Sequence, residues 1–309
     1  MNGEPSPLVA RGLVKRYGDV VAVGGIDLTV ERGDVYGFLG PNGAGKTTTL
    51  RIMLGLIRPG SGEVRLFGRD PQHEIPEALD GVAGFVETPH FYPYLTGRKN
   101  LELLAAFDGG AAASRVDETL DLVDLTRRAG DKVGGYSQGM RQRLGLAASL
   151  IRAPRLLLLD EPTNGLDPGG MRDMRHLIKR LSGEGITILL SSHLLGEVEE
   201  LCNRVAIIRE GSIVYEGTIA ELRETRATQR YRLHTTDDER ARVVCLNQSG
   251  LRDLIVEGDG ALLFSAEEPA VAELSHALVG AGLGILALVP ESASLESLFF
   301  ELTEGDRAA

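Results

Sequence analysis

Cysteine is scarce in this chain of 309 residues: two occur, Cys202 and Cys245, far apart and without metal-type spacing. Neither a disulfide framework nor a cysteine metal site is expected; both read as packing residues of a protein in a reducing cytoplasm. Long apolar runs are also missing. The longest late one, from Ala277 to Val289, is interrupted by glycine and falls short of the ~20 residues a membrane-spanning helix needs. Any membrane role is therefore expected to run through a partner. The opening MNGEPSPLVARG has no basic head followed by an apolar block, so no secretory signal is expected. Basic excess is lacking as well: 33 Lys and Arg face 44 Asp and Glu, a net charge of -11. That balance repels nucleic acid, and no basic face compensates, so no nucleic-acid partner is expected. Lysine stops at Lys179 while arginine continues, a compositional bias without functional weight. No repeat or low-complexity tract interrupts the pattern.

What is present belongs to a globular protein. Hydrophobic residues make up 43% and charged residues 25%, with a mean hydropathy of -0.03, and the length suits a large domain beside a small one. Short β-forming runs, VYGFL at 35, VAGFV at 82, LLLLD at 156 and TILLSS at 187, alternate with helical segments. They are apolar on both faces, which suits strands buried between layers and predicts an α/β protein with a mainly parallel core sheet. Residues 8 to 31 read as antiparallel strands joined by a Gly-Asp turn, and about 95 to 152 as an inserted helical subdomain. Beyond about Leu222 the order β-α-β-β-α-β is expected, a split ferredoxin-like pattern in a small α+β domain over 223–309, closed by an amphipathic helix from Ser294 to Leu302.

The stretch GPNGAGKT, with an apolar strand before it and a helix after it, fits a phosphate-binding loop. Gly40, Asn42, Gly43, Ala44, Gly45 and Thr48 are expected to hold nucleotide around the loop and helix start, where glycines let backbone N–H groups approach phosphate oxygens. Lys46 would neutralise the β and γ phosphates, and Thr47 would hold Mg²⁺. In LLLLDEP, a buried strand carries Asp160 to its end as a metal-binding carboxylate, with Glu161 beside it suited to orient an attacking water. His193 follows the strand ITILLSS, where loops of a parallel sheet gather around ligands. Alone it reads more readily as a packed or surface histidine. Tyr17 could stack on adenine or be half-buried hairpin surface.

Taken in order, Tyr17, GPNGAGKT, YSQGMRQR, LLLLDEP, NGLD and SSH resemble the nucleotide-binding subunit of an ABC transporter, over about residues 8 to 218. The resemblance implies an ATPase using ATP and Mg²⁺, a homodimer of such subunits, and a separate integral membrane permease that holds them at the inner face of the membrane. It also implies that Ser137 and Gly139 complete the ATP site of the opposite subunit and that Asp167 links the two sites. His193 is implied as a sensor of the γ-phosphate. Gln138 and Met140 stand where the family has Gly and Gln, and the form S-x-G-M-[KR]-Q-R-L-G resembles the bacitracin and anthracycline self-resistance exporters. Export of a drug or other small molecule is the implied role; a soluble ABC ATPase acting on ribosomes or nucleic acid is the alternative. Glu87 replaces the family's glutamine and is implied as a catalytic and metal-contacting residue. Residues Phe91 to Leu95 are implied to meet a permease, or else to pack into the helical subdomain. The segment SLESLFFELT is similar to the endings of drug-exporter ATPases.

Overall fold

The computed structural model describes residues 4–108, 112–224, 229–258, 260–291 and 299. The chain divides into two compact units, the first up to Ile219 and the second from Ala220.

The first unit opens with β1 (Leu8–Tyr17) and β2 (Val20–Val30), antiparallel and turning at Gly18 with Tyr17 opposite Val20. Gly18 adopts φ +57 there, a left-handed conformation that glycine takes at little cost. Alternation, stepped by a bulge between Ala10 and Leu13, puts Leu8, Ala10 and Leu13 of β1 and Val23, Ile26, Leu28 and Val30 of β2 into the interior. After β3 (Val35–Leu39) and α1 (Lys46–Met53), β4 (Ser61–Leu66) pairs with the other edge of β1, giving a three-stranded antiparallel sheet of order β2-β1-β4. The sequence reading did not mark β4. Its SGEVRL buries only two residues, so its apolar signal is weak.

A short helix α2 (Ile75–Ala78) leads into β5 (Val82–Phe85). The helical segment then holds α3 (Gly97–Ala106), α4 (Val116–Leu122) and α5 (Gln138–Leu150), with one 3-10 turn before α4 and two between α4 and α5. Next come β6 (Leu156–Asp160), α6 (Pro168–Gly183), β7 (Thr187–Ser192), α7 (Leu195–Leu201), and the hairpin β8 (Arg204–Arg209) and β9 (Ser212–Thr218). The main sheet runs β5-β6-β7-β3-β8-β9 and is parallel except for β9. Every residue of β3, β6 and β7 is buried, which is why these runs are apolar except at their ends, where Asp160, Thr187, Ser191 and Ser192 lie. Tyr36, Phe38, Leu156 and Leu158 share a core with residues of β1, β2 and α1. On the opposite face Gly37 leaves room for α7: a Cβ there would lie 2.7 Å from Val198 and 3.1 Å from Cys202.

The helix α8 (Ile219–Glu224) spans the division. The second unit contains β10 (Gln229–Thr235), α9 (Asp238–Asn247), β11 (Arg252–Val256), β12 (Leu262–Ala266), α10 (Glu268–Gly280) and β13 (Ile285–Glu291). Its antiparallel sheet has the order β13-β10-β12-β11, which in that unit's own strand order is 4-1-3-2, the ferredoxin-like arrangement. Leu233, Phe264, Leu274 and Leu278 form its separate core. The helix expected over Ser294 to Leu302 lies outside the described residues except at 299.

Candidate active site at the ends of the parallel strands

Three adjacent strands set the geometry. In the order β6-β7-β3, Asp160 lies opposite Ser191 and Leu39 opposite Ser192, so all three strands end at one level. The loops leaving that level carry the chemistry, as expected for the carboxyl ends of a parallel sheet.

From β3 the chain enters the phosphate loop. Gly45 has φ +106, and a Cβ there would meet the Ala22 carbonyl at 2.2 Å, so the loop closes against β2 only with glycine at this position. Gly43 also takes a left-handed φ of +82. Gly40 presses on the β8 backbone: its Cβ would lie 2.5 Å from the Ile208 carbonyl. Asn42 is exposed and Ala44 buried. Thr48 sits half-buried in the first turn of α1. The Lys46 side chain is only 5% exposed; its ammonium donates to the Gly40 and Pro41 carbonyls at 2.7 and 3.2 Å and pairs with Glu161 at 3.2 Å. A buried cation tolerates that depth because it is paired and hydrogen-bonded.

Residues remote in sequence complete the cluster. The Thr47 hydroxyl donates to the Asp160 carboxylate at 2.9 Å across 113 positions. The other Asp160 oxygen accepts from Ser191 at 2.5 Å, and the same Ser191 oxygen accepts the Glu161 N–H at 3.0 Å. Glu161 adopts φ +45, a left-handed conformation that a non-glycine residue holds at a cost. Its second carboxylate oxygen meets His193 Nδ1 at 3.0 Å. An ionised carboxylate can only accept, so Nδ1 carries the hydrogen in that contact. Ser192 braces the same loop by donating to buried Glu197 at 2.7 Å and accepting the Leu194 N–H at 3.0 Å. Lys46, Thr47, Asp160, Glu161 and His193 therefore stand together.

Other expected residues are placed elsewhere. Glu87 also has a left-handed φ, +67, and its N–H approaches Asp160 at 3.4 Å, but its carboxylate turns to Arg51 at 2.6 Å. Tyr17 is half exposed, with the Lys15 ammonium 5.4 Å from its ring centre. Ser137 caps α5 by accepting the Met140 N–H, and Asp167 caps α6 by accepting the Gly170 N–H. Both, with Gly139, line a surface cleft of about 520 Å³ that none of the Lys46 to His193 cluster lines. Tyr92 and Tyr94 are 55% and 65% exposed, with ring centres 5.7 Å apart, while Phe91 and Leu95 are half-buried. Exposure, left open by the sequence, is thus decided for the two tyrosines. Ser191, Arg51 and Glu197 were missed. Only Ser191 had a signal, the polar pair closing an otherwise apolar strand.

A phosphate loop at the end of a central parallel strand, with Asp160 and Glu161 following the strand two places away, beyond β7, defines a P-loop nucleotide-binding core. A family model described as ABC transporter matches residues 23–164. The bacitracin transport ATP-binding protein BcrA of Bacillus licheniformis is 40% identical over 295 residues, 95% of this chain and 96% of that protein. The daunorubicin resistance ATP-binding protein DrrA3 of Streptomyces coeruleorubidus is 37% identical over 304 residues, 96% and 95% of the two chains. A solved structure of an ATP-binding subunit of an ABC transporter matches with a TM-score of 0.64 and 28% identity, over 71% of this chain and 93% of its own. This chain belongs to the ABC transporter family, as an ATP-binding subunit of the class that couples ATP hydrolysis to transport. Among the described residues no helix is long and apolar enough to cross a membrane.

Proposed function

We propose that two copies of this protein close around two MgATP molecules and drive a separate membrane permease that exports a drug or other small molecule. The observation that carries the reading is the contact line from Lys46 through Glu161 to His193, set beside the Thr47–Asp160 pair where β3 and β6, flanking β7, end at one level. The loop amides and Lys46 bind the nucleotide phosphates. Thr47 and Asp160 are oxygen donors of the kind Mg²⁺ prefers, and a site built from few protein ligands plus substrate phosphates suits that ion. When bound, Mg²⁺ supplies charge neutralisation on the phosphates. Glu87 is assigned to the same metal, and reaching it requires its carboxylate to leave Arg51.

Glu161, steadied between Lys46 and His193, orients and polarises the attacking water. His193 senses the γ-phosphate, and Tyr17 stacks on the adenine. Ser137 and Gly139 of one protomer reach the nucleotide of its partner, and Asp167 lies where the two sites meet. ATP then joins the protomers, and hydrolysis removes the join. The cassette is assigned to 8–222, with 95–152 as its helical subdomain, and 223–309 to an accessory domain. Exposed Tyr92 and Tyr94 suit contact with the permease, which would hold the protein on the inner face of the membrane. Export of drugs is supported by the names of the bacitracin and daunorubicin relatives.

The test is Glu161→Gln in the full chain. Turnover should fall at least ~100-fold, the loss typical of a missing general base, while saturating MgATP should produce a stable dimer that co-purifies with a membrane protein. A strictly monomeric variant with its membrane partner present, or recovery only with ribosomes or nucleic acid, would refute the reading.

A further inference from the structure

The start of α5 and the loop that carries Glu161 are fastened together within one chain. Gln138, the first residue of α5 after its Ser137 cap, donates its side-chain amide to the Asn164 carbonyl at 2.9 Å. The receiving loop is two linked turns: the Asn164 N–H bonds the Glu161 carbonyl at 3.0 Å, and the Leu166 N–H bonds the Thr163 carbonyl at 3.1 Å. Gly165 stands against the amide with φ +72, and a Cβ there would lie 2.3 Å from the Gln138 nitrogen. A side chain at 165 would push the amide off the carbonyl, and the left-handed backbone there favours glycine. One and a half turns along α5, Arg143 pairs with Asp173 of α6, so the helix is held at two points to the segment running from Glu161 into α6.

We propose that Gln138 is a positioning residue: by holding the Asn164 carbonyl it makes the Ser137–Gly139 segment and the Glu161 loop move as one piece. This rests on the dimer reading above, in which Ser137 meets the partner's nucleotide. Engagement of that nucleotide is then passed through Gln138 to this chain's own Glu161, and the two hydrolytic sites become coupled. A glycine at position 138 cannot form the link. The coupling therefore belongs to Gln138, which stands where the family has glycine.

The experiment measures ATP turnover against ATP concentration in the full chain for wild type, Gln138→Gly, Gln138→Glu and Gln138→Lys. Gln138→Gly removes the amide, Gln138→Glu keeps its shape but loses the donor, and Gln138→Lys retains a donor. The Gly and Glu variants should lose about three- to tenfold in kcat, the factor a single hydrogen bond carries, with a lower Hill coefficient and half-saturation within about twofold of wild type. Lys should recover at least half of the loss. In a Gly165→Ala background, Gln138→Gly should cost nothing further, because both changes break one contact. Unchanged kcat and Hill coefficient, additive losses, or a shift confined to half-saturation would each overturn the proposal. The Glu161→Gln protein is measured alongside: if it dimerises with ATP while the Gln138 variants match wild type, the inference fails and the dimer reading stands. If it stays monomeric, both fail.

Discussion

Glu87→Gln offers the most discriminating perturbation, because the carboxylate has two possible duties. The structure turns it toward Arg51, at 2.6 Å, in a pair whose side chains are 36% and 64% exposed. An ion pair this exposed is worth about 0.2–1 kcal/mol, so the substitution should lower the melting temperature by a few degrees at most. If Glu87 faces the γ-phosphate as proposed, Arg51 offsets its charge there, and turnover of Glu87→Gln should stay within roughly tenfold of wild type, about 1.4 kcal/mol in barrier. Arg51→Ala should then be the more damaging single change, since it leaves the carboxylate uncompensated, and Glu87→Gln added to it should restore part of the lost ATP affinity. The assay is a four-protein cycle of kcat, half-saturation and thermal midpoint, repeated at raised salt, where the effect of an exposed pair shrinks. A loss well beyond tenfold in Glu87→Gln, unaffected by Arg51, would show that the carboxylate acts on the reacting groups and that the Arg51 contact is incidental.

Ser191 is fully buried and serves both Asp160 and the Glu161 N–H. Ser191→Ala should therefore cost about 1–3 kcal/mol of stability for each group left unpaired and depress kcat more than half-saturation, as read by chemical denaturation and steady-state kinetics. The thiols should be silent in the native protein. Burial pushes Cys245 up to about 11 and Cys202 higher still, so both stay protonated at pH 8, where an aromatic disulfide reagent should label neither thiol until denaturant is added and then label two. Because the folded values are raised, the associated stability is present below the unfolded thiol range and is lost as pH climbs above it. Rapid native labelling would place the thiols outside the cores described.

Much of the architecture is legible because burial on two faces and burial on one leave different patterns. The strands β3, β6 and β7 read as apolar runs that turn polar only at their ends, and β1 and β2 as alternation interrupted by bulges. The second unit was readable because each element is short, regular and bounded by turn residues. β4 was not, since glycine and charge fill half of it. GPNGAGKT announces its chemistry within eight residues because a phosphate loop is made by contiguous backbone. Asp160, Glu161 and His193 are weaker signals, meaningful only in company.

That company is a tertiary fact. Strand order β6-β7-β3 brings Thr47 to Asp160 across 113 positions and His193 to Glu161 across 32, and nothing local specifies which strands become neighbours. Folding likewise chose Arg51 for Glu87, Ser191 as the shared support of the two acids, and Asn164 for Gln138. The chain's own order supplied the loop, the acids and the helix caps. Their partners were set by the parallel sheet, whose connections carry the chain away and return it beside strands distant in sequence.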